Sequence, residues 1–325
     1  PVLYFSTYFL NTGSGVMVTG SHNPPEYNGI KIMLGGEPVF GDAIQGLKER
    51  ARGDEFQEGA GQMQSMDLLA DYIRRVTEDI PVALGGALKV VVDCGNGVAG
   101  DVAPKLFRAL GHDVIELNCE IDGTFPNHHP DPSDPANLVQ LQAAVREAEA
   151  DIGIAFDGDG DRVGIVDNTG EIIWPDRLMM VFAKDVLERN AGAPIVFDVK
   201  CSSRLRAIIE AAGGEAVMEK TGHSFLRDKL AQTGAPLAGE LSGHIFFGER
   251  WYGFDDAMYA AARLLEIMMA RQMSAAELFA EVPVGVTTPE LKVSLPEGQH
   301  HALMAKLNGS AIPGAEVSKI GRAHV

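Results

Sequence analysis

The sequence predicts an α/β protein made of repeated α/β domains. Two observations carry this. Apolar runs followed by a turn with a small or acidic residue and then by helical spacing recur near residues 16, 89 and 195. At 325 residues the chain is also long for one domain and comfortable for two to four.

Taken in order, residues 5–10 read as the end of a helix and Gly15-Val16-Met17-Val18-Thr19 as a buried strand. The loop Thr19-Gly20-Ser21-His22-Asn23-Pro24-Pro25 follows, and presents a serine hydroxyl at a sheet edge where α/β proteins often place nucleophiles. Asn23-Pro24 is equally a plain turn signal, which leaves Ser21 open as a turn residue. Lys31 begins another apolar run and can return a positive charge toward that serine. Residues 41–80 carry helical spacing, interrupted by polar residues 53–64 that suit a domain junction.

Leu88-Lys89-Val90-Val91-Val92-Asp93 is a strong strand, followed by Gly95-Asn96-Gly97-Val98-Ala99-Gly100 and a helix through Leu110. The glycines match G-x-G-x-x-G, with Glu116 near the place of a ribose-binding acid, so a nicotinamide-dependent oxidoreductase is the alternative from another class. Against it, residues 123–137 form a Pro- and Asp-rich loop in place of a continuing βαβ series. Within that loop, adjacent His128 and His129 fit loop structure better than metal ligation. Further on, helices are expected over 176–189, 202–212, 255–269 and 274–279, strands over 194–199 and 288–293.

The densest chemistry lies in Asp157-Gly158-Asp159-Gly160-Asp161-Arg162, a tight loop between the apolar runs 151–156 and 163–166. Gly158 and Gly160 free the backbone to curl, so three alternate carboxylates can converge on one hard cation. All-oxygen ligation favours Mg²⁺ or Ca²⁺ over zinc or copper. An EF-hand is excluded, because Arg162 falls where that loop needs Gly and Asn168 where it needs Glu. Three ligands from one short loop leave room for a substrate oxygen, and open Mg²⁺ sites of this kind handle phosphate. Two further loops could meet such a substrate. Lys220 and His223 sit at a helix start, and Glu240 and Ser242 share a face of an extended segment that can bind two hydroxyls.

Composition narrows the partners. Lys+Arg 27 against Asp+Glu 45 gives 27 − 45 = −18, which makes nucleic acid and anionic membranes poor partners and requires a local basic patch for an anionic substrate. Three cysteines without ligand spacing suit a reducing cytoplasm. No apolar run reaches the ~18 residues of a membrane span. The chain opens on Pro1 and runs at once into Val2-Leu3-Tyr4-Phe5, as a piece cut from a longer protein would, and residues 320–325 read as a foreign tail.

With these motifs in this order, the chain from about residue 1 to 288 resembles the α-D-phosphohexomutase family, closest to its bacterial bifunctional phosphomannomutase/phosphoglucomutase branch. The resemblance implies three similar mixed-sheet α/β domains around a cleft, at 1–67, 68–167 and 168–283, with 284–319 as the start of a truncated fourth. It also implies that the N-terminal portion of the first domain, and the loop of the fourth that grips the substrate's second phosphate, are missing. Thr19 to Pro24 is similar to the phosphoserine loop, which makes Ser21 the phosphoryl carrier with His22 beside it. Asp157, Asp159 and Asp161, with an oxygen of phosphorylated Ser21, are implied as Mg²⁺ ligands accompanied by Arg162. Lys31 and His223 are implied in proton transfer or phosphate contact, and Lys220, Glu240, Ser242 and His244 in substrate binding. The implied activity interconverts hexose 6- and 1-phosphates through a hexose 1,6-bisphosphate, in a monomer. Leu241 between Glu240 and Ser242 favours mannose and glucose phosphates over glucosamine phosphate, the alternative within the family.

Overall fold

A computed structural model describes residues 1–21, 23, 26–53, 56–80, 86–285, 295–296 and 299–308; His22 and the strand expected over 288–293 lie outside the described residues. The first unit consists of helix α1 (Val2–Phe9), strands β1 (Gly15–Thr19), β2 (Gly29–Leu34) and β3 (Glu37–Pro38), and helix α2 (Asp42–Arg52). The three strands pair antiparallel in the order β1-β2-β3. Helix α1 lies against one face, where Gly15 leaves room for the Leu3 and Thr7 side chains. Among the described residues nothing covers the other face, so Val16 and Val18 are 62% and 68% exposed and β1 is not the buried strand its composition suggests. A second expectation also fails here. The helix comes before β1 instead of after it, so the unit near residue 16 is out of phase with the other two.

The second unit runs α3 (Leu69–Asp79), β4 (Lys89–Asp93), α4 (Ala103–Ala109), β5 (Asp113–Leu117), α5 (Val139–Ala148), β6 (Ile152–Phe156), β7 (Val163–Asp167) and β8 (Ile172–Ile173). Its sheet order is β5-β4-β6-β7-β8, parallel through the first three strands and antiparallel beyond β6. The third runs α6 (Pro175–Arg189), β9 (Pro194–Asp198), α7 (Ser203–Ala211), β10 (Glu215–Glu219), α8 (His223–Thr233), β11 (Leu237–Gly239), β12 (Ile245–Phe247), α9 (Ala257–Arg271) and α10 (Ala275–Ala280), with order β10-β9-β11-β12. Helix α11 (Gln299–Asn308) follows. The central strands are apolar throughout because helices cover both faces, as in β6, where every residue is buried. Helix starts are marked by side chains that take orphan backbone donors: Ser202 for α7, Asp256 for α9, and a capping box of Ser274 and Glu277 for α10.

One slot recurs in all three sheets. A helix leads into a strand, a turn follows, and the next strand returns antiparallel: α1-β1-β2, α5-β6-β7 and α8-β11-β12. The turns in that slot hold Ser21, the three aspartates, and Glu240 to His244. The glycines near 97 serve this architecture and not a nucleotide. A Cβ on Gly97 would lie 2.7 Å from the Gly158 carbonyl oxygen, so the close approach a pyrophosphate would need is taken by the aspartate loop.

Helix α3 ties the second unit to the third. Tyr72 donates to Asp256 at 2.8 Å, Tyr259 donates to Asp79 at 2.7 Å, and Arg250 donates to the Asp79 carbonyl at 2.7 Å. The buried rings of Phe5, Tyr72, Trp251 and Tyr259 pack around these bonds and carry the core across the boundary. Among the described residues no helix is long and apolar enough to cross a membrane.

Beneath the second sheet's C-terminal edge, His128 in the Pro- and Asp-rich loop has both ring nitrogens against acceptors: Nε2 is 3.0 Å from Asp93 and Nδ1 2.9 Å from the His129 carbonyl. Two acceptors call for two N–H groups, so the Asp93 contact raises the His128 pKa above its ordinary value. The stabilisation is therefore fully present below the unfolded-state pKa near 6.5 and is lost as pH rises through the higher folded value. His128→Ala is expected to lower unfolding free energy by about 1 kcal/mol at pH 6 and by less at pH 9, since the pair is partly open to solvent. Urea unfolding at both pH values checks it, and a loss that grows with pH contradicts it.

Candidate active site

The aspartate loop curls around one oxygen. Asp157 Oδ1 accepts backbone N–H bonds from Gly160, Asp161 and Arg162 at 3.0, 3.0 and 3.2 Å. The φ of +76° at Gly160 lets the chain turn sharply enough to do so. Each of the three carboxylates is thereby left with an oxygen facing inward, and these lie within 4.8 Å of one another. Asp161 Oδ1 is buried without a hydrogen-bond partner, which is costly unless a cation satisfies it. The donor set therefore fits a hard divalent ion.

Ser21 and Lys31 arrive from the first unit. Ser21 Oγ lies 3.1 Å from Asp157 Oδ2 and 3.0 Å from Asp159 Oδ1. One hydroxyl proton satisfies only one of these carboxylates, so the serine oxygen is placed to join them in holding a cation. Its backbone φ is +50°, a left-handed conformation that an L-residue adopts at a cost, and the Thr19 hydroxyl braces it by accepting from the Ser21 N–H at 2.9 Å. The Lys31 ammonium pairs with Asp159 at 2.8 Å and with Asp161.

The electrostatics separate the carboxylates. Burial first, then Asp161 and Asp159, push Asp157 well above the usual carboxylate range. Asp161 is as deeply buried, yet His244 and then Lys31 hold it well below that range. Lys31 is itself held charged against its burial by Asp161 and Asp159.

Arg162, His244 and His223 form the next layer. Arg162 Nε donates to His244 Nε2 at 3.1 Å, and His244 Nδ1 faces Asp255 Oδ2 at 3.1 Å and Asp161 Oδ1 at 3.7 Å. Against burial, Asp161 and Asp255 raise the His244 pKa to about 9. Because Nε2 can accept from Arg162 only while unprotonated, protonation of His244 releases the guanidinium. The His223 ring centroid is 5.5 Å from that of His244, and burial lowers its pKa.

The Glu240 to His244 segment is a closed turn, not the extended stretch expected. The Glu240 N–H donates to the His244 carbonyl at 2.9 Å and the Gly243 N–H to the Glu240 carbonyl at 3.1 Å. Glu240 is 3% exposed; its carboxylate accepts from the Gly222 N–H at 2.8 Å and from the Ser242 hydroxyl at 2.7 Å. It thus fixes the start of α8 and orients Ser242, with one bond on each carboxylate oxygen. The aspartate turn and this turn touch through backbone, with an isolated β-bridge between Arg162 and His244 and a Val163 N–H bond to the Gly243 carbonyl at 3.1 Å. Lys220 stands apart from the carboxylates, with Nζ 4.0 Å over the Phe225 ring. His22 lies outside the described residues.

Three supporting residues escaped the sequence reading. Thr19 donates to Asp159 at 3.3 Å besides bracing Ser21, and Asp255 faces His244. Asp198 accepts from Thr221 at 2.8 Å and from the Leu241 N–H at 3.1 Å, and so joins the two candidate substrate loops. A signal for Asp198 exists: it ends the apolar strand β9 as Asp93 ends β4.

Comparison with known proteins agrees with this geometry. Family models for phosphoglucomutase/phosphomannomutase match alpha/beta/alpha domain I at residues 1–58, domain II at 70–170 and domain III at 174–284. The phosphomannomutase/phosphoglucomutase of Pseudomonas aeruginosa is 53% identical over 311 residues, 96% of this chain and 67% of its own length. The phosphoglucomutase of Neisseria meningitidis is 50% identical over 96% of this chain and 68% of its own. A crystal structure of a phosphoglucomutase/phosphomannomutase family protein from Burkholderia thailandensis superposes with a TM-score of 0.88 at 49% identity, covering 94% of this chain and 66% of that one. The chain thus spans about two thirds of the length of these relatives, and over that span its three sheets, their order and the residues gathered at their turns make it a member of the phosphoglucomutase/phosphomannomutase family.

Proposed function

We propose that this chain carries the phosphotransfer centre of a Mg²⁺-dependent mutase that interconverts the 6- and 1-phosphates of mannose and glucose through phosphorylated Ser21 and a hexose 1,6-bisphosphate. The observation that supports it most is the Ser21 hydroxyl held at 3.0–3.1 Å from Asp157 and Asp159, two of three convergent carboxylates, with Lys31 paired to Asp159 and Asp161. Asp157, Asp159 and Asp161 would hold the ion, which when bound neutralises charge on the transferring phosphoryl group. Lys31 adds positive charge on one side and Arg162 on the other. His223, held neutral by burial, is suited to accept the proton of the attacking sugar hydroxyl. Ser242, its own proton given to Glu240, accepts from a ring hydroxyl, and the Asp198-braced turns keep that acceptor in place while the bisphosphate turns over.

Incubation with glucose 1,6-bisphosphate should leave one phosphate on Ser21 by peptide mapping, and a phosphate on another residue of active protein overturns the assignment. With Leu241 apolar, kcat/KM should be higher for mannose and glucose phosphates than for glucosamine phosphate. A preference for the amino sugar would move the reading to the glucosamine branch.

A further inference from the structure

Under the aspartate loop two thiols meet that the phosphotransfer chemistry does not use. Cys94 follows β4 and Cys119 follows β5; these parallel neighbours pair Asp93 with Leu117, so the two cysteines leave the same sheet edge side by side. Their sulfurs are 3.5 Å apart, in van der Waals contact. Cys94 is fully buried and Cys119 half-buried, so one is shielded and the other open to a small oxidant. The third cysteine, Cys201, is buried elsewhere and donates to Asp198 at 3.1 Å.

We infer that Cys94 and Cys119 form a reversible intramolecular disulfide on exposure to a hydroperoxide, and that closing it disturbs the metal-binding loop. The Cys119 thiol ionises and its thiolate attacks the peroxide oxygen; the O–O bond breaks, Cys119 becomes a sulfenic acid, and the alkoxide or hydroxide leaves with the proton the thiol gave up, as alcohol or water. The Cys94 sulfur then attacks the Cys119 sulfur, the S–O bond breaks, and hydroxide departs with the Cys94 proton as water. Two thiols are oxidised and one peroxide is reduced. The contact with Cys94 lowers the Cys119 pKa, which suits Cys119 as the thiolate that attacks the peroxide first.

The path to the metal loop is backbone throughout. Bond formation must draw the sulfurs from 3.5 Å to about 2 Å, which moves one turn against the other. Neither turn has slack. Asn96 is bonded to the Asn118 carbonyl at 2.7 Å and through its amide to the Glu120 carbonyl at 2.7 Å, and a Cβ on Gly100 would lie 2.0 Å from the Cys119 carbonyl oxygen. On the far side, the Val98 N–H donates to the Gly158 carbonyl at 3.0 Å, and Gly158 sits between Asp157 and Asp159.

The experiment uses the whole chain. After full reduction, hydrogen peroxide followed by alkylation should leave one of the three cysteines, Cys201, labelled, with a Cys94–Cys119 crosslinked peptide in the digest and recovery by dithiothreitol. Titration with Mn²⁺ should give an affinity about tenfold weaker for the oxidised form, the scale on which outer contacts tune a metal site. Cys94→Ser should trap Cys119 as a dimedone-reactive sulfenic acid and keep the reduced form's Mn²⁺ affinity. Absence of the crosslinked peptide, or a crosslink through Cys201, overturns the site. A crosslink that leaves Mn²⁺ binding unchanged overturns its coupling to the loop.

Discussion

Ser21→Ala is expected to remove mutase turnover by about four orders of magnitude or more, because the phosphoryl group loses its only carrier and the direct sugar-to-sugar route has no activated acceptor. Folding should be untouched. The serine hydroxyl meets Asp157 and Asp159 of the neighbouring unit, and its N–H bond to Thr19 belongs to the backbone and survives. A companion variant separates the two roles of the position. With φ at +50°, a glycine is relieved of the left-handed penalty that serine and alanine share, so Ser21→Gly should be more stable by about 1 kcal/mol and equally inactive. Turnover near wild type in Ser21→Ala sinks the carrier assignment. A destabilised Ser21→Gly would show that the left-handed turn is not the source of strain there.

Asp159→Ala should act nearly as strongly through the metal. It deletes one of three inward oxygens together with the acceptor for Thr19 and Lys31, leaving Asp157 and Asp161 as ligands. Mg²⁺ affinity should fall by about a hundredfold or more and turnover by about three orders of magnitude, in line with a centre whose charge neutralisation is lost. Without metal the variant should unfold no earlier than wild type. Asp159 is among the groups that push the buried Asp157 up, so its removal relieves repulsion while Lys31 keeps its bond to Asp161. Calorimetric titration with Mg²⁺ and a urea melt in EDTA measure both sides, and unchanged Mg²⁺ binding would reject the triad as the metal site.

What could be read from the sequence divides along sequence separation. The aspartate loop was legible because its whole logic, carboxylates at every second position and glycines between apolar runs, fits in a few residues. The central strands of the second and third sheets were legible for the same reason, since continuous apolar runs need no partner to be recognised. Burial of β1 was not. Val16 and Val18 look like core residues, and only the absence of a helix over that face of the first sheet among the described residues exposes them. Nor was the true phase of the first unit, where a strand followed by a turn suggested a helix and the chain instead doubles back as β2. For Glu240 the loop was legible but the bracing was not, because one of its partners, the Gly222 N–H, comes from another loop. Thr19, Asp255 and the Arg162 to His244 contact became visible only in three dimensions. Their partners come from other elements, up to 140 residues away, and no local pattern records that.

The shared placement of the three turns has a mechanical side. The aspartate turn and the Glu240 to His244 turn are joined by a backbone bridge, so they behave as one stiff jaw. At the site, the Ser21 hairpin meets that jaw through the side chains of Ser21, Thr19 and Lys31, which form a joint of hydroxyls and one ammonium instead of a weld. A joint of this kind can loosen and re-form without breaking any strand pairing. Its grip depends on charge: a phosphate on Ser21 adds about −1.5 to −2 units beside two carboxylates, so the loaded hairpin should spring away unless a cation clamps it. The second and third units would then serve as a fixed anvil on which sugar and metal rest. Helix α1 keeps the body of the first unit anchored through Phe5 against Tyr72, so the part that this charge engages or releases is the tip of the β1–β2 hairpin.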